Sequence, residues 1–492
     1  MFRSWYPEKL RPWTYALFAV IFQMSSGIYF GQVGHVMGVT GLMREDVTMI
    51  CMLGVIGVNM PFPFIFKFKL RFTDHNILLT AAGGIILCNI ASLCTDNLVL
   101  LCAISYIAGF LKLVGTFECI STIRLWMSPS ETFPIFLPLV YVIILGSQGI
   151  SGYFCTTLMY YNDSWQAMQL FIIGLLLVMM LIVHTCTTQW RFARVKMLSL
   201  DWLGCLMWSA AMAEVIFIGT YGEHYNWWDG QPIRIATYML VVTIPLCIGR
   251  MYHIRHPYLK PQVFEHKRLF MILGMFMLGE IMNSTPNALQ NTLTSGILNW
   301  SAKTTSELSI IQSVGAVLGC LFCIFWYKKI KTQLSQLTIV GFGALFLYQV
   351  FMYFYISPHL NVERLYFPTF LRTFGYAIIF STITFYLKRL IEFPAFLMAL
   401  TMAGFVRNGV VESCCTGLYS FLLRYHVNDN LARATGSDIM DILAIGVKQI
   451  YGYLCILGII VLIIMILYQT HYGQKLRWKI WPNEPKTYYY GE

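Results

Sequence analysis

Seven charged residues stand where charge is costly. Lys112, Glu118, Glu214, Glu280, Arg372, Arg407 and Glu412 each fall inside long runs of Leu, Ile, Phe, Val, Met and Ala. In hydrocarbon such a side chain costs about 2.5–3.5 kcal/mol by insertion scales, so each needs a partner, a wet cavity or a task. The chemistry open to them is proton exchange, ion pairing between helices and recognition of a charged substrate. Glu280 suits the first. Its helix also carries Asn283, Asn287, Gln290 and Asn291 and is interrupted by Pro286, as befits irregular backbone lining a cavity. A carboxylate there can take up and release a proton in the working range.

Spacing decides what cannot pair. At 3.6 residues per turn, Lys112 and Glu118 sit about 120° apart on one helix, and Arg407 and Glu412 about 140° apart. Neither pair closes along its own helix, so their partners come from other helices. Arg372 and Glu412 lie at similar depth on neighbouring spans, which predicts a buried ion pair between them. Glu118 lies nearer one membrane face, where it can snorkel. Gln23, Ser25, Ser26 and Gln32 give the first span polar groups but no charge.

Other reactive constellations are missing from the sequence. There is no H-E-x-x-H, no G-x-S-x-G and no phosphate-cradling glycine loop. His184 has no acidic partner nearby in sequence. Cys320 and Cys323 form a C-x-x-C inside an apolar run, a setting for packing rather than redox chemistry. No cofactor or metal is expected. A membrane-embedded acyltransferase-type enzyme is the weakest of the readings, and the protein is expected not to be an enzyme.

The elements that hold these residues follow from composition. Of 492 residues, 57% are hydrophobic and 12% charged, against roughly 25% charged in soluble domains. Mean hydropathy is +0.63. Lipid is therefore the solvent, and each crossing needs roughly 20 apolar residues. About fourteen spans result: 13–33, 47–66, 77–95, 98–122, 133–159, 165–187, 199–221, 233–252, 268–293, 305–327, 335–356, 365–387, 394–423 and 446–469. No cleavable signal peptide is expected, because the first apolar stretch is too long. With the N-terminus cytoplasmic, 24 of the 34 Lys and Arg fall on the cytoplasmic side and 7 on the other. This is the positive-inside bias. It places both termini in the cytoplasm and accounts for the net charge of +11 without nucleic acid. The longest external break is 424–445.

Three local signatures carry a family resemblance. Trp165, Gln166, Ala167 and Met168 open the sixth span. Asp201, Trp202 and Gly204 open the seventh, as an Asp-Trp-x-Gly lead-in. His256, Pro257, Tyr258 and Leu259, then Phe264, precede the ninth. With the span count, the chain resembles the fourteen-span drug:proton antiporter branch of the major facilitator superfamily. It departs from that pattern in four places: the first span lacks the acidic residue the family often has there, the family's Arg in the fourth span falls near Gly109 with Lys112 one turn later, and two short motifs are altered. The loop from Pro63 to Arg71 keeps Lys67 and Lys69 but lacks the family's Asp and Gly. The stretch from Gly146 to Gly152 keeps its glycines without the family's Pro.

The resemblance implies an all-α polytopic fold with two six-helix bundles and two extra central helices. The expected division is 1–190, 191–260 and 261–492. It puts Lys112, Glu118, Glu280 and Arg372 on cavity-lining helices, with Gln23, Asn283 and Asn287 as polar cavity groups and Arg407 and Glu412 as a structural pair or cavity residues. It implies proton-coupled export of amphiphilic or drug-like small molecules from a bacterial inner membrane. Protons, the small-molecule substrate and the bilayer are its partners, with a periplasmic adaptor and an outer-membrane channel in a two-membrane cell. The alternative from a different class is a transport-silent sensor on the same fold.

Overall fold

In this computed structural model, the structure describes residues 3–27, 29, 33–127, 133–188, 200–265, 267–330, 334–433 and 439–472. Among them, the first six expected spans become α1 Arg11–Met24, α2 Val33–Thr40, α3 Arg44–Asn59, α4 Ile65–Arg71, α5 Asp74–Leu93, α6 Leu98–Met127, α7 Phe133–Asn162 and α8 Ala167–Cys186. Two helices follow, α9 Trp202–Tyr221 and α10 Gln231–His253. The rest is α11 Lys267–Asn283, α12 Ala302–Phe325, α13 Leu334–Tyr355, α14 Glu363–Leu390, α15 Phe393–Gly404, α16 Ser413–Arg433 and α17 Ile439–Tyr472. The protein is an all-α polytopic chain.

Twelve described helices are long and apolar enough to cross a membrane. The expected spans 13–33 and 47–66 fall on the shorter α1 and α3, of 14 and 16 residues. Both stop for local reasons. After α1 the backbone turns extended at Ser25, whose hydroxyl donates to the Phe22 carbonyl at 2.7 Å. After α3 come Pro61 and Pro63, which have no N–H to continue the ladder; the chain turns once and resumes as α4.

Two more boundaries differ from the expectation. Residues 424–433, read as external loop, continue α16. The ninth and thirteenth spans are each broken by π-helical turns, at Pro286–Gln290 and Thr292–Ile297, and at Phe405–Glu412. Turns of this kind cluster at functional sites.

Packing brings distant elements together. Helix α6 lies against α1, α3 and α5, and α7 crosses onto α12 and α14. Gly57 on α3 and Gly109 on α6 let those backbones touch. A Cβ at Gly57 would meet the Tyr106 carbonyl, and one at Gly109 the Gly54 carbonyl. Helix α9 touches both α3 and α16, while α10 packs chiefly on α9. One apolar cluster joins Leu113 of α6 to Phe276 of α11 and to Ile379 and Ile383 of α14. Helices α6, α11 and α14, which hold Lys112, Glu118, Glu280 and Arg372, therefore meet in one core.

The start of α9 shows how one motif fixes a junction. Asp201 caps the helix, accepting from the Gly204 N–H at 2.9 Å. Its other contacts are Arg250 Nε at 3.0 Å, Arg250 Nη2 at 2.7 Å and the Tyr258 N–H at 3.1 Å. Tyr258 Oη in turn donates to the Met60 carbonyl at 2.8 Å. Gly204 is required there because a Cβ would collide with the Asp201 carboxylate. Burial alone raises Asp201, but the Arg250 guanidinium and the two backbone N–H groups outweigh it and hold the carboxyl below its ordinary value of 3.8. A depressed carboxylate adds stability that is complete above the unfolded value and is lost as pH falls through the folded one. Asp201→Asn is expected to cost about 1.5–3 kcal/mol at neutral pH, the worth of hydrogen bonds to a charged group. Melting curves should converge with wild type below pH 3.8; a constant gap across that range would refute the assignment.

Candidate functional site

Glu280 is the centre of the internal network. It lies on α11 three residues before the helix breaks and is 4% exposed. Tyr376 Oη of α14 donates to Oε2 at 3.0 Å, and Asn283 Nδ2 donates to Oε1 at 3.1 Å. Arg407 Nε, from the π-helical turn Phe405–Glu412, stands 3.9 Å from Oε2. The same guanidinium lies 4.6 Å over the Phe380 ring and donates from Nε to Asn408 Oδ1 at 2.7 Å. Phe380 is stacked on Tyr376 and meets Tyr141 of α7 edge-on at 4.6 Å. One carboxylate, one guanidinium and an aromatic wall thus come together from α7, α11, α14 and the Phe405–Glu412 turn.

The broken helix explains the rest. Pro286 has no N–H for the carbonyl four residues earlier, Met282, and Gln349 Nε2 of α13 fills that acceptor at 2.7 Å. Tyr419 Oη donates to the Ile281 carbonyl at 2.5 Å, and Arg372 Nη1 to the Asn283 carbonyl at 3.3 Å. Three successive carbonyls at the break are held by side chains from three other helices. Arg372 Nε is buried with no hydrogen-bond partner among the described residues. The depth argument pairs Arg372 with Glu412. The structure gives Arg372 the Asn283 carbonyl, and in this cluster the guanidinium beside the Glu280 carboxylate is that of Arg407. Glu412 is half-buried at the end of the π-helical turn. The side chain of Asn287 lies outside the described residues, as does Gln32.

Glu118 and Gln23 make their contacts elsewhere. Glu118 is 2% exposed and does not snorkel alone. Lys69 Nζ of α4 donates to its Oε1 at 2.9 Å and to Ser121 Oγ at 2.5 Å. The basic segment after Pro63 therefore supplies the partner of Glu118. Lys69→Met leaves that carboxylate buried and unpaired and should lower stability by about 3–5 kcal/mol. Adding Glu118→Gln should recover most of it in thermal unfolding, and a double variant no better than Lys69→Met would sink the pairing. Gln23 Nε2 donates to Thr116 Oγ1 at 3.1 Å, both buried, and so ties α1 to α6. Lys112 is half-buried midway along α6 and, among the described residues, has no ion-pair partner within 4.0 Å.

No family model matches the sequence, and no curated protein matches it. Solved structures do match. A structure of proton dependent oligopeptide transporters aligns over 95% of this chain and all of its own, at 12% identity and a TM-score of 0.62. A point mutant of the nucleoside transporter NupG aligns over 93% of this chain and 98% of its own, at 12% identity and a TM-score of 0.55. A bacterial homologue of human drug peptide transporters aligns over 95% of this chain and all of its own, at 12% identity and a TM-score of 0.58. The fold is major-facilitator-like.

Within that fold, Glu280 and Arg372 share one cluster with Arg407, while Glu118 belongs to a separate one. Sequence reasoning singled out Glu280, Arg372 and Arg407, but it missed Tyr141, Gln349, Tyr419 and the role of Lys69. Gln349 had a usable signal, an amide in the middle of an apolar span. Tyr141 and Tyr419 had none, since tyrosines are common along these helices.

Proposed function

We propose that the chain is a secondary active transporter that exports amphiphilic small molecules by alternating access, coupled to protons at Glu280. The observation that carries this reading is the buried Glu280 within reach of Arg407, at the contact of α11, α14 and the Phe405–Glu412 turn. In the charged state Glu280 and Arg407 neutralise one another. Protonation of Glu280 removes that attraction and leaves the guanidinium bare, which favours a different packing of the two helix breaks. A substrate carrying an acceptor group can then meet Arg407 against the aromatic wall of Tyr141, Tyr376 and Phe380. Lys112 is proposed as a second cation for the substrate. The fold shared with transporters for oligopeptides and nucleosides supports transport as the activity.

The test uses proteoliposomes with an imposed proton gradient, a pH-sensitive dye and a panel of lipophilic cations, anions, bile-acid-like amphiphiles and fatty acids. Dissipation of the gradient by a compound, seen with wild type and absent with Glu280→Gln, supports the proposal. Compound movement without proton movement refutes the coupling. Silence across the panel favours the sensor. Export in a two-membrane cell would engage a periplasmic adaptor and an outer-membrane channel, and co-purification of such partners tests that part.

A further inference from the structure

A second site lies away from Glu280, on the two helices between the halves. Helix α10 is the described span least covered by protein, with Tyr238, Val241, Val242 and Leu246 all more than half exposed. Between it and α9 runs a cavity of about 480 Å³ lined by Glu214, Phe217, Gln231, Ile235, Ala236 and Met239. That volume is in the range of small-molecule sites, about 300–1,000 Å³. It runs inward from Gln231, at the start of α10, for eight residues to Met239, or about 12 Å.

Everything lining this groove is apolar or neutral except Glu214. Its Oε1 accepts from Thr243 Oγ1 at 3.1 Å. That hydroxyl has a single proton and is also 2.9 Å from the Met239 carbonyl. Glu214 Oε2 is shielded and has no hydrogen-bond partner among the described residues. A carboxylate held within a membrane span, half-satisfied and beside an apolar groove, is short of a donor that an occupant of the groove can supply. The groove faces lipid, so the bilayer delivers the occupant, and the occupant needs an apolar body. An ionised carboxylate only accepts, whereas an alkylammonium carries three donors and the opposite charge.

We infer that the groove between α9 and α10 is a binding site for membrane-dissolved amphiphiles bearing a protonated amine, with Glu214 as the anchor. The site stands independently of the transport reading. A neutral hydroxylated amphiphile fits the shape but leaves the charge uncompensated.

The experiment is photolabelling of the full chain in nanodiscs with an alkylamine carrying a diazirine in its tail, with adducts mapped by mass spectrometry. The matched alkyl alcohol is the second probe. Amine adducts are expected on residues 213–217 and 231–239. Glu214→Gln preserves shape and the Thr243 bond and should reduce them about tenfold or more, the effect of losing one charge-assisted contact of about 1.4 kcal/mol. Alcohol labelling should be weak and the same in both proteins. Ala236→Phe keeps the carboxylate but fills the groove, and should also lose the amine adducts. Thermal unfolding confirms that each variant is folded, and either one alone suffices for the test. Equal amine labelling of wild type and the folded variants overturns the inference, as does alcohol labelling that matches the amine or adducts spread evenly over all lipid-facing helices.

Discussion

Glu280→Gln is expected to reduce proton movement to the level of protein-free liposomes while the protein remains folded. The substitution keeps the side chain's shape and one acceptor for Tyr376 or Asn283, so the local packing survives. It removes the group that exchanges a proton. Among the described residues, no second carboxylate shares the hydrogen bonds that Tyr376 and Asn283 give to Glu280. Substrate counterflow, which needs no net proton movement, should persist at a measurable rate. Proton flux that survives in the variant would move the coupling role elsewhere, and Glu412 would be the next carboxylate to test.

Arg407→Gln should be the most destabilising single change in the network. It leaves Glu280 buried without its guanidinium, a loss of about 3–5 kcal/mol for a broken buried pair. The side chains of Glu280 and Arg407 are 5% and 18% exposed, so solvent replaces little of the lost interaction. The double variant Glu280→Gln with Arg407→Gln removes both charges and should recover most of the stability without recovering transport. The interaction energy read from that cycle belongs to the pair and not to either residue. If Arg407→Gln unfolds at the wild-type temperature, the two charges are not coupled in the protein.

These two results probe different links. The first tests whether Glu280 does chemistry; the second tests what keeps it charged inside lipid. A pair that serves stability alone would fail the first and pass the second. Arg372 separates the ideas further, because its hydrogen bond goes to the Asn283 carbonyl at the helix break rather than to a carboxylate.

The sequence alone determined the solvent, the helical class and the residue at the centre. Charge is so scarce and hydrocarbon so plentiful that only spanning helices satisfy the backbone, and Glu280 stands out because Asn283 and Pro286 mark its helix as irregular. The signature at Asp201 and Gly204 was visible as the opening of the seventh span, and the structure makes it a cap, a contact within four residues. What the tertiary structure decided was every partnership between helices. Arg407 meets Glu280 from a different helix far along the chain, and Lys69 reaches Glu118 from a segment that reads only as basic. Helical spacing could exclude pairs along one helix but could not choose among the others, because the choice depends on which faces the packing turns together. The same holds for Arg372. Depth suggested a carboxylate, but Pro286 left the carbonyls of α11 short of donors, and an unsatisfied carbonyl in a membrane interior is a strong claim on the nearest guanidinium. Proline set where the helix breaks; the packing of α13, α14 and α16 set which side chains close it.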